Sequence, residues 1–537
     1  MGKRIVYFNG HITTLDPTCP RAEAVAVEDG RIVAVGDNEQ ILLDFGRADA
    51  VRVDLCGGYA LPGLVDSHIH LSGVGQQLGM VDLGAVRSVE EMLAVLRERA
   101  GRLEPGEWLI GMGWDENRLG RMPSLEELDR AVPDHPLFLS RVCFHTFLVN
   151  SRAYRAAGIR EDEPDPERGS FGRDEHGALN GLVYENASRL FVEAQPKPGY
   201  RTKKETMRRA MRLALASGLT GVHTEDLRYI GSVDELIRIC RELREEGVLL
   251  RTHHLIYHPH LHELDELGWR AGQGDEWFRI GAMKMFADGS IGGRTALLSR
   301  AYADDPGNTG MGIHDPEELL YLTGLAADRL MPVAVHAIGD EAADRVITAM
   351  EAHPFDPDKG VNLRHRLIHA QIMRPDLIER LARLPVAVDI QPRFVASDFP
   401  WVLERIDPEL ARCAYAWKTL LAAGIRCAGG SDAPIEPLHP LLGIHAAITR
   451  RRLDDPDDHP GHHPHETLNR LEAVQLFTSG SAYAAGEEHE RGTLSVGKRA
   501  DLTVYDRDIF AVEIDELLEA RTLFTVVNGE TAYRVDE

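Results

Sequence analysis

A chain of 537 residues carries 85 acidic against 60 basic side chains, a formal net charge of −25 at pH 7. That balance excludes nucleic acid and anionic membrane as main partners, since both demand a basic footprint. Hydrophobic residues at 43% and charged residues at 27% describe an ordinary globular chain, long enough for one large domain with additions.

The N-terminal sixty residues read as short strands. Ile5-Val6-Tyr7-Phe8 leads through Asn9-Gly10 to Ile12-Thr13-Thr14-Leu15, and Ala24-Val25-Ala26-Val27 leads through Asp29-Gly30 to Ile32-Val33-Ala34-Val35. Asn-Gly and Asp-Gly between alternating apolar residues predict two hairpins. The start lacks a signal-peptide core, and no stretch approaches the ~18 apolar residues that a membrane span requires. Six cysteines (Cys19, Cys56, Cys143, Cys240, Cys413, Cys427) show no C-x-x-C spacing and read as buried free thiols. A cytoplasmic protein is the expectation.

From residue 61 the pattern changes to short apolar runs alternating with amphipathic stretches, the signature of parallel βα units. Eight runs stand at 61–70, 220–225, 249–256, 279–287, 331–337, 364–370, 385–391 and 425–432. Helical segments at 201–217, 234–246, 340–353 and 374–384 lie between them. Eight units predict an α/β fold, a (β/α)8 TIM barrel. The gap between the first two runs requires an inserted subdomain at about 75–200, in which 161–170 reads as a loop. The C-terminus returns to short strands: Asp501 to Tyr505, then Phe524 to Val527, an Asn528-Gly529 turn, and Thr531 to Arg534. The expected division is a composite β-domain from 1–60 and 485–537, with the barrel domain at 61–484.

The chemistry gathers at the ends of these runs. The first ends in His68-Ile69-His70, two imidazoles on the same side of a strand and able to share a metal. The fifth and sixth carry His336 and His369, and the eighth ends in Asp432. Active sites of this barrel form where strand C-termini meet the βα loops. Imidazoles with a carboxylate and no thiolate make a zinc-type set, whereas Mg²⁺ would favour oxygen ligands. Lys284, flanked by Met283, Met285 and Phe286, lies on an apolar strand where burial favours the neutral amine. A neutral lysine can combine with carbon dioxide to give a carbamate, a carboxylate-like ligand. His253 and His254 read either as pocket lining or as packing, and His459, His462, His463 and His465 as a solvated loop.

These residues resemble the amidohydrolase superfamily, specifically amidohydrolase family 3, the branch like N-substituted formamide deformylase. The resemblance rests on Leu-Pro-Gly-Leu-Val-Asp-Ser-His-Ile-His (61–70), Gly-Trp-Asp-Glu-Asn (113–117) and His-Thr-Phe-Leu-Val-Asn-Ser (145–151). It continues through Ala-Gly-Ile (157–159), Lys-Met-Phe-Ala-Asp-Gly-Ser-Ile-Gly-Gly-Arg-Thr-Ala (284–296), His-Ala-Ile-Gly-Asp (336–340), Ser-Asp-Ala-Pro (431–434) and the tail from Gly492 to Leu502. It implies a barrel plus a small β-sandwich built from both termini. It also implies that His68, His70 and Asp432 hold one divalent metal, that His336 and His369 hold a second, and that Lys284 bridges them as its carbamate. One or two ions per chain, zinc foremost, are expected. His145, Asp288 and Arg294 are weaker candidates for substrate contacts.

The expected function is hydrolysis of a non-peptide amide-type C–N bond in a small molecule, through a metal-activated hydroxide with Asp432 as general acid/base. A mononuclear metal-dependent deaminase and a non-catalytic scaffold that kept the barrel are the alternatives. A homodimer is the default assembly for such a chain.

Overall fold

The computed structural model describes residues 3–47, 50–104, 106–141, 145–167, 169–356, 361–456 and 458–535. Cys143 and Arg168, both within segments read from the sequence, lie outside the described residues. The chain divides into two compact units, one of Met1–Val74 with Met207–Glu537 and one of Gly75–Thr206.

The larger unit is built on eight parallel strands: β1 (Leu64–Ile69), β2 (Leu219–Thr224), β3 (Arg251–Tyr257), β4 (Phe278–Phe286), β5 (Val333–Ala337), β6 (His365–His369), β7 (Val386–Ile390) and β8 (Arg426–Gly429). Each pairs with the next in order from β8 to β1. The seam between β8 and β1 is closed just beyond the strands, where Asp432 N–H donates to the His68 carbonyl (2.7 Å) and His70 N–H to the Ala433 carbonyl (2.8 Å). β1 and β6 are buried at every position, as a sheet covered on both faces requires. Helices Tyr200–Ala216, Val233–Glu245, Asp340–Ala352 and Pro375–Leu381 fall where the amphipathic stretches place them.

Two small sheets come from the termini. Arg4–Phe8 pairs antiparallel with Ala24–Glu28 and parallel with Val51–Asp54. Tyr59–Pro62 lies between Leu502–Tyr505 and His11–Thr13. Their inner faces share a core of Tyr7, Val25, Val27, Leu502, Val504, Phe524 and Val526. The Asp29-Gly30 hairpin forms, with both turn residues at positive φ, and so does the Asn528-Gly529 hairpin. The Asn9-Gly10 hairpin does not. The strands on either side of it lie in different sheets, and Gly10 N–H bonds the Glu23 carbonyl (3.1 Å) instead. The left-handed backbone at Asn9 (φ 57°) therefore serves a crossover between sheets.

The unit Gly75–Thr206 holds a six-stranded mixed sheet, in the order Gly169–Arg173, Leu179–Glu185, Thr146–Val149, Leu137–Arg141, Leu109–Trp114, Val81–Asp82. Its core includes Met92, Leu96, Trp114, Leu137 and Leu139. The segment read as a loop at 161–170 ends in the first residues of a strand. Of the cysteines, Cys240 and Cys427 are buried free thiols as expected, Cys19 and Cys413 are half-buried, and Cys56 is exposed in the turn after Asp54. Among the described residues no helix is long and apolar enough to cross a membrane.

Candidate metal centre

His68, His70 and Asp432 meet at the β1–β8 seam. Each offers one ligand atom, and the three atoms lie within 4.8 Å of one another. Asp432 Oδ1 stands 3.4 Å from His68 Nε2 and 3.5 Å from His70 Nε2. Those gaps are too wide for good hydrogen bonds. They come close to the roughly 3.3 Å that separates ligand atoms on a tetrahedral ion with ~2.0 Å bonds.

Neighbouring groups fix which nitrogen each ring presents. His70 Nδ1–H donates to the Glu225 backbone carbonyl (2.9 Å), which leaves the lone pair on Nε2, where Arg228 Nη2 donates to it at 3.3 Å. His369 Nδ1–H donates to Gln391 Oε1 (2.7 Å), again freeing Nε2. His336 Nε2–H donates to the Gly289 carbonyl (2.9 Å), so its lone pair is on Nδ1. Such partners set tautomer and orientation in metal sites. The His336 and His369 rings lie 4.4 Å apart, and the His369 ring 5.5 Å from that of His68. Burial drives His68 and His369 well below the usual histidine range, helped for His68 by the Lys284 charge and for His369 by His336. Both are neutral and ligand-competent near pH 7. The donor set and its tautomers therefore fit a zinc-type ion.

Lys284 is fully buried on β4, its Nζ 3.2 Å from His68 Nε2 and 4.8 Å from the Phe286 ring centre. Burial outweighs the attraction of Asp432 and Glu225 and brings its pKa down to about 7. Burial raises the Asp432 pKa, but the influence of the adjacent His70, with His369 and Lys284, outweighs it and holds the carboxyl below its usual range. His369 (φ 79°) and Asp432 (φ 57°) both occupy the left-handed region, a cost of order 1 kcal/mol or more for a side-chain-bearing residue. The same bend lets β6 and β8 end with those side chains turned to the mouth.

Of the three weaker candidates, Asp288 reaches the cluster, its Oδ1 3.4 Å from His336 Nε2. Asp288 is buried, and its carboxylate accepts the N–H groups of Leu297, Ile338 and Gly339 (2.8–3.0 Å), which makes it a brace under the loop after β4. Arg294 is paired with Asp304 through two nitrogens. His145 belongs to the unit Gly75–Thr206, with an exposed ring 3.0 Å from Glu185. His253 and His254 are packing residues: His253 sits against His223 (4.9 Å) and His254 is stacked on Phe278 (4.6 Å). The solvated-loop reading holds for His465, whereas His462 is largely buried.

Sequence reasoning passed over Glu225, Gln391 and Asp66. Glu225 and Gln391 end the runs that became β2 and β7, the same position that marked the histidines. Asp66 straps the seam by accepting Ser431 N–H, Ser431 Oγ–H (2.6 Å) and His68 N–H (3.0 Å).

Eight parallel strands with imidazoles, a carboxylate and a buried lysine at one end define a barrel hydrolase of the metal-dependent class. The model of the amidohydrolase family (Amidohydro_3) matches residues 52–533, and the chain belongs to that family. It is 41% identical over 534 residues to YtcJ of Bacillus subtilis (strain 168), covering 99% of both chains. It is 27% identical to the N-substituted formamide deformylase of Arthrobacter pascens, covering 98% of each. Among solved structures, an uncharacterized metal-dependent hydrolase from Pyrococcus furiosus matches with a TM-score of 0.77 and 31% identity, over 95% of this chain and 100% of that one. The protein is accordingly an enzyme, a hydrolase acting on C–N bonds.

Proposed function

We propose that the protein hydrolyses a non-peptide amide-type C–N bond of a small molecule at the β1–β8 seam. The observation that carries this reading is the shared position of Asp432 Oδ1, 3.4 and 3.5 Å from the Nε2 atoms of two imidazoles on one strand end. His68, His70 and Asp432 would hold one divalent ion, zinc by donor type, and the adjacent His336 and His369 a second. When bound, the ion lowers the pKa of water towards ~7 and polarises a carbonyl.

Asp432 takes the proton of the attacking water as the C–O bond forms and returns it to the nitrogen as the C–N bond breaks. Such acid–base help contributes roughly 10²–10⁴-fold. Lys284, with its pKa near 7, has a large neutral fraction at neutral pH and can take up carbon dioxide as a carbamate, releasing a proton. That exchanges a buried cation for a carboxylate-like ligand beside His68. The substrate class named for the Arthrobacter relative, an N-substituted formamide, fits this chemistry.

Two further assignments go with it. Residues 1–60 and 485–537 form one composite β-domain and 61–484 the barrel with its insertion, supported by the pairing of Leu502–Tyr505 with Tyr59–Pro62. The compartment is reducing cytoplasm, supported by the five free thiols among the described residues.

The test is metal content and amide turnover in wild type, Lys284→Ala and Asp432→Asn. Wild type should carry one to two zinc-like ions per chain above any held elsewhere, with fewer in Lys284→Ala. Asp432→Asn should fold and lose roughly 10²–10⁴-fold in kcat. A wild-type chain that takes up no ion at these ligands with Zn²⁺ and bicarbonate present sinks the reading.

A further inference from the structure

The loop that follows the helix Pro440–Thr449 carries Asp455, His459 and His462, an Asp-x₃-His-x₂-His spacing in a stretch rich in proline, glycine and aspartate. The function proposed above uses none of these residues. Their ligand atoms nevertheless gather as the barrel set does, all within 4.8 Å of one another.

His462 is the anchor. Its backbone is clamped by Arg450, a fully buried residue whose carbonyl accepts His462 N–H (2.9 Å) and whose Nε donates to the His462 carbonyl (2.6 Å). Its ring stacks on Phe399 at 5.1 Å. Its Nε2 is buried without a hydrogen-bond partner among the described residues, although Asp455 Oδ2 stands only 3.6 Å away. A buried imidazole nitrogen aimed at a carboxylate beyond hydrogen-bond reach has an unmet need.

His459 supplies the third side. Its Nδ1 accepts the Gly461 N–H (3.1 Å) and is therefore unprotonated, and it lies 3.9 Å from the same Asp455 oxygen. Arg452 N–H donates to that oxygen (2.7 Å) and holds the carboxylate in place. The two imidazole rings are 4.9 Å apart. Gaps of 3.6 and 3.9 Å exceed the roughly 3.3 Å spacing across a tetrahedral ion by about 0.3 and 0.6 Å.

We infer that Asp455, His459 and His462 form a separate metal site, a zinc-type clip that ties Asp455 and His459 to His462, itself held by Arg450 and Phe399. Two imidazoles and a carboxylate suit Zn²⁺ or a similar borderline ion, with water in the remaining position. The ion takes the His459 Nδ1 lone pair in place of the Gly461 hydrogen bond, a small movement of one partly exposed side chain. Because all three ligands fall within eight residues, closing the chelate costs little chain entropy. The clip has no part in the chemistry at the barrel mouth.

The test is zinc stoichiometry of the full-length chain after equilibration with buffered Zn²⁺. Four proteins are compared: wild type, Asp455→Asn/His459→Gln, His68→Ala/His70→Ala, and the combination. The loop variant is expected to hold one equivalent fewer in both backgrounds. Co²⁺ bound to His68→Ala/His70→Ala should give the absorption of a histidine-ligated tetrahedral ion, lost on adding the loop substitutions. Should the barrel variant not fold, the comparison in the wild-type background decides alone. Equal zinc counts with and without the loop substitutions overturn the inference. A barrel that binds no metal shows separately, as a wild type matching His68→Ala/His70→Ala while the loop equivalent persists.

Discussion

His254 shows what a single buried titratable side chain contributes. Its ring lies flat on Phe278, its Nε2 is 3.7 Å from Cys240 Sγ, and its Nδ1 has no partner among the described residues. Burial alone pushes its pKa down to about 3. The folded state therefore binds fewer protons here than the unfolded state, whose value is near 6.5, and stability falls as pH drops from about 6.5 towards 3. At pH 5 the loss amounts to roughly 1.5 pKa steps, or about 2 kcal/mol. A His254→Met variant cannot bind that proton, so its acid-unfolding midpoint, followed by circular dichroism, should move to lower pH. An unchanged midpoint would mean that the imidazole is already charged in the fold or that another group governs acid unfolding.

At the level of elements, the seam between β1 and β8 positions Asp432 against His68 and His70, and Gly430 is what lets it close. A Cβ at Gly430 would stand 2.6 Å from His68 N and 2.9 Å from Asp66 Oδ1, in contact with rigid backbone. Gly430→Ala must spread the seam, at about 1–3 kcal/mol for overpacking. Because a misplacement of about 1 Å can cost ~10² in rate, kcat should fall by more than the change in melting temperature would suggest. Gly307→Ala, where a Cβ meets nothing within 4 Å, serves as the control. Equal kcat in the two variants would refute the role given to the seam. The eight barrel strands were legible because strands buried on both faces read as continuous apolar runs. The six-stranded sheet of Gly75–Thr206 was not, since its strands are short and mixed in direction. The histidines and Asp432 could be read from their place at strand ends. Glu225 holds His70 chiefly through a backbone carbonyl at 2.9 Å, which any residue possesses, with its carboxylate further off at 3.6 Å, so its type carried little signal. His462 is more buried than a solvated loop implies because Arg450 folds the chain back on itself, a tertiary contact without a local pattern.

For the larger unit as a whole, the question is whether the terminal sheets fold with the barrel or apart from it. Tyr59–Pro62 must find Leu502–Tyr505 across more than 400 positions, a contact too distant in sequence to form before the barrel has drawn its ends together. Where sheet and barrel meet, Arg251 at the start of β3 makes a bidentate pair with Asp501 (2.8 and 2.9 Å), and both side chains are nearly inaccessible. Asp501 also accepts Asn528 N–H (2.7 Å), and its backbone carbonyl accepts Gly63 N–H (2.8 Å). Removing one partner strands the other charge in a dry interface, so Asp501→Asn should destabilise by about 3–5 kcal/mol. Replacing both, as Arg251→Met/Asp501→Leu, should recover a large part of that loss, because the Arg251 charge goes with its partner and the neighbouring Arg491 keeps Glu487. If the sheets and barrel form one cooperative body, calorimetry of Asp501→Asn will show the unit's transition moved to lower temperature but undivided. A new early transition, with the barrel's own melting unmoved, would show instead that the terminal sheets are a separately folding attachment and that the buried pair couples nothing beyond its own contact.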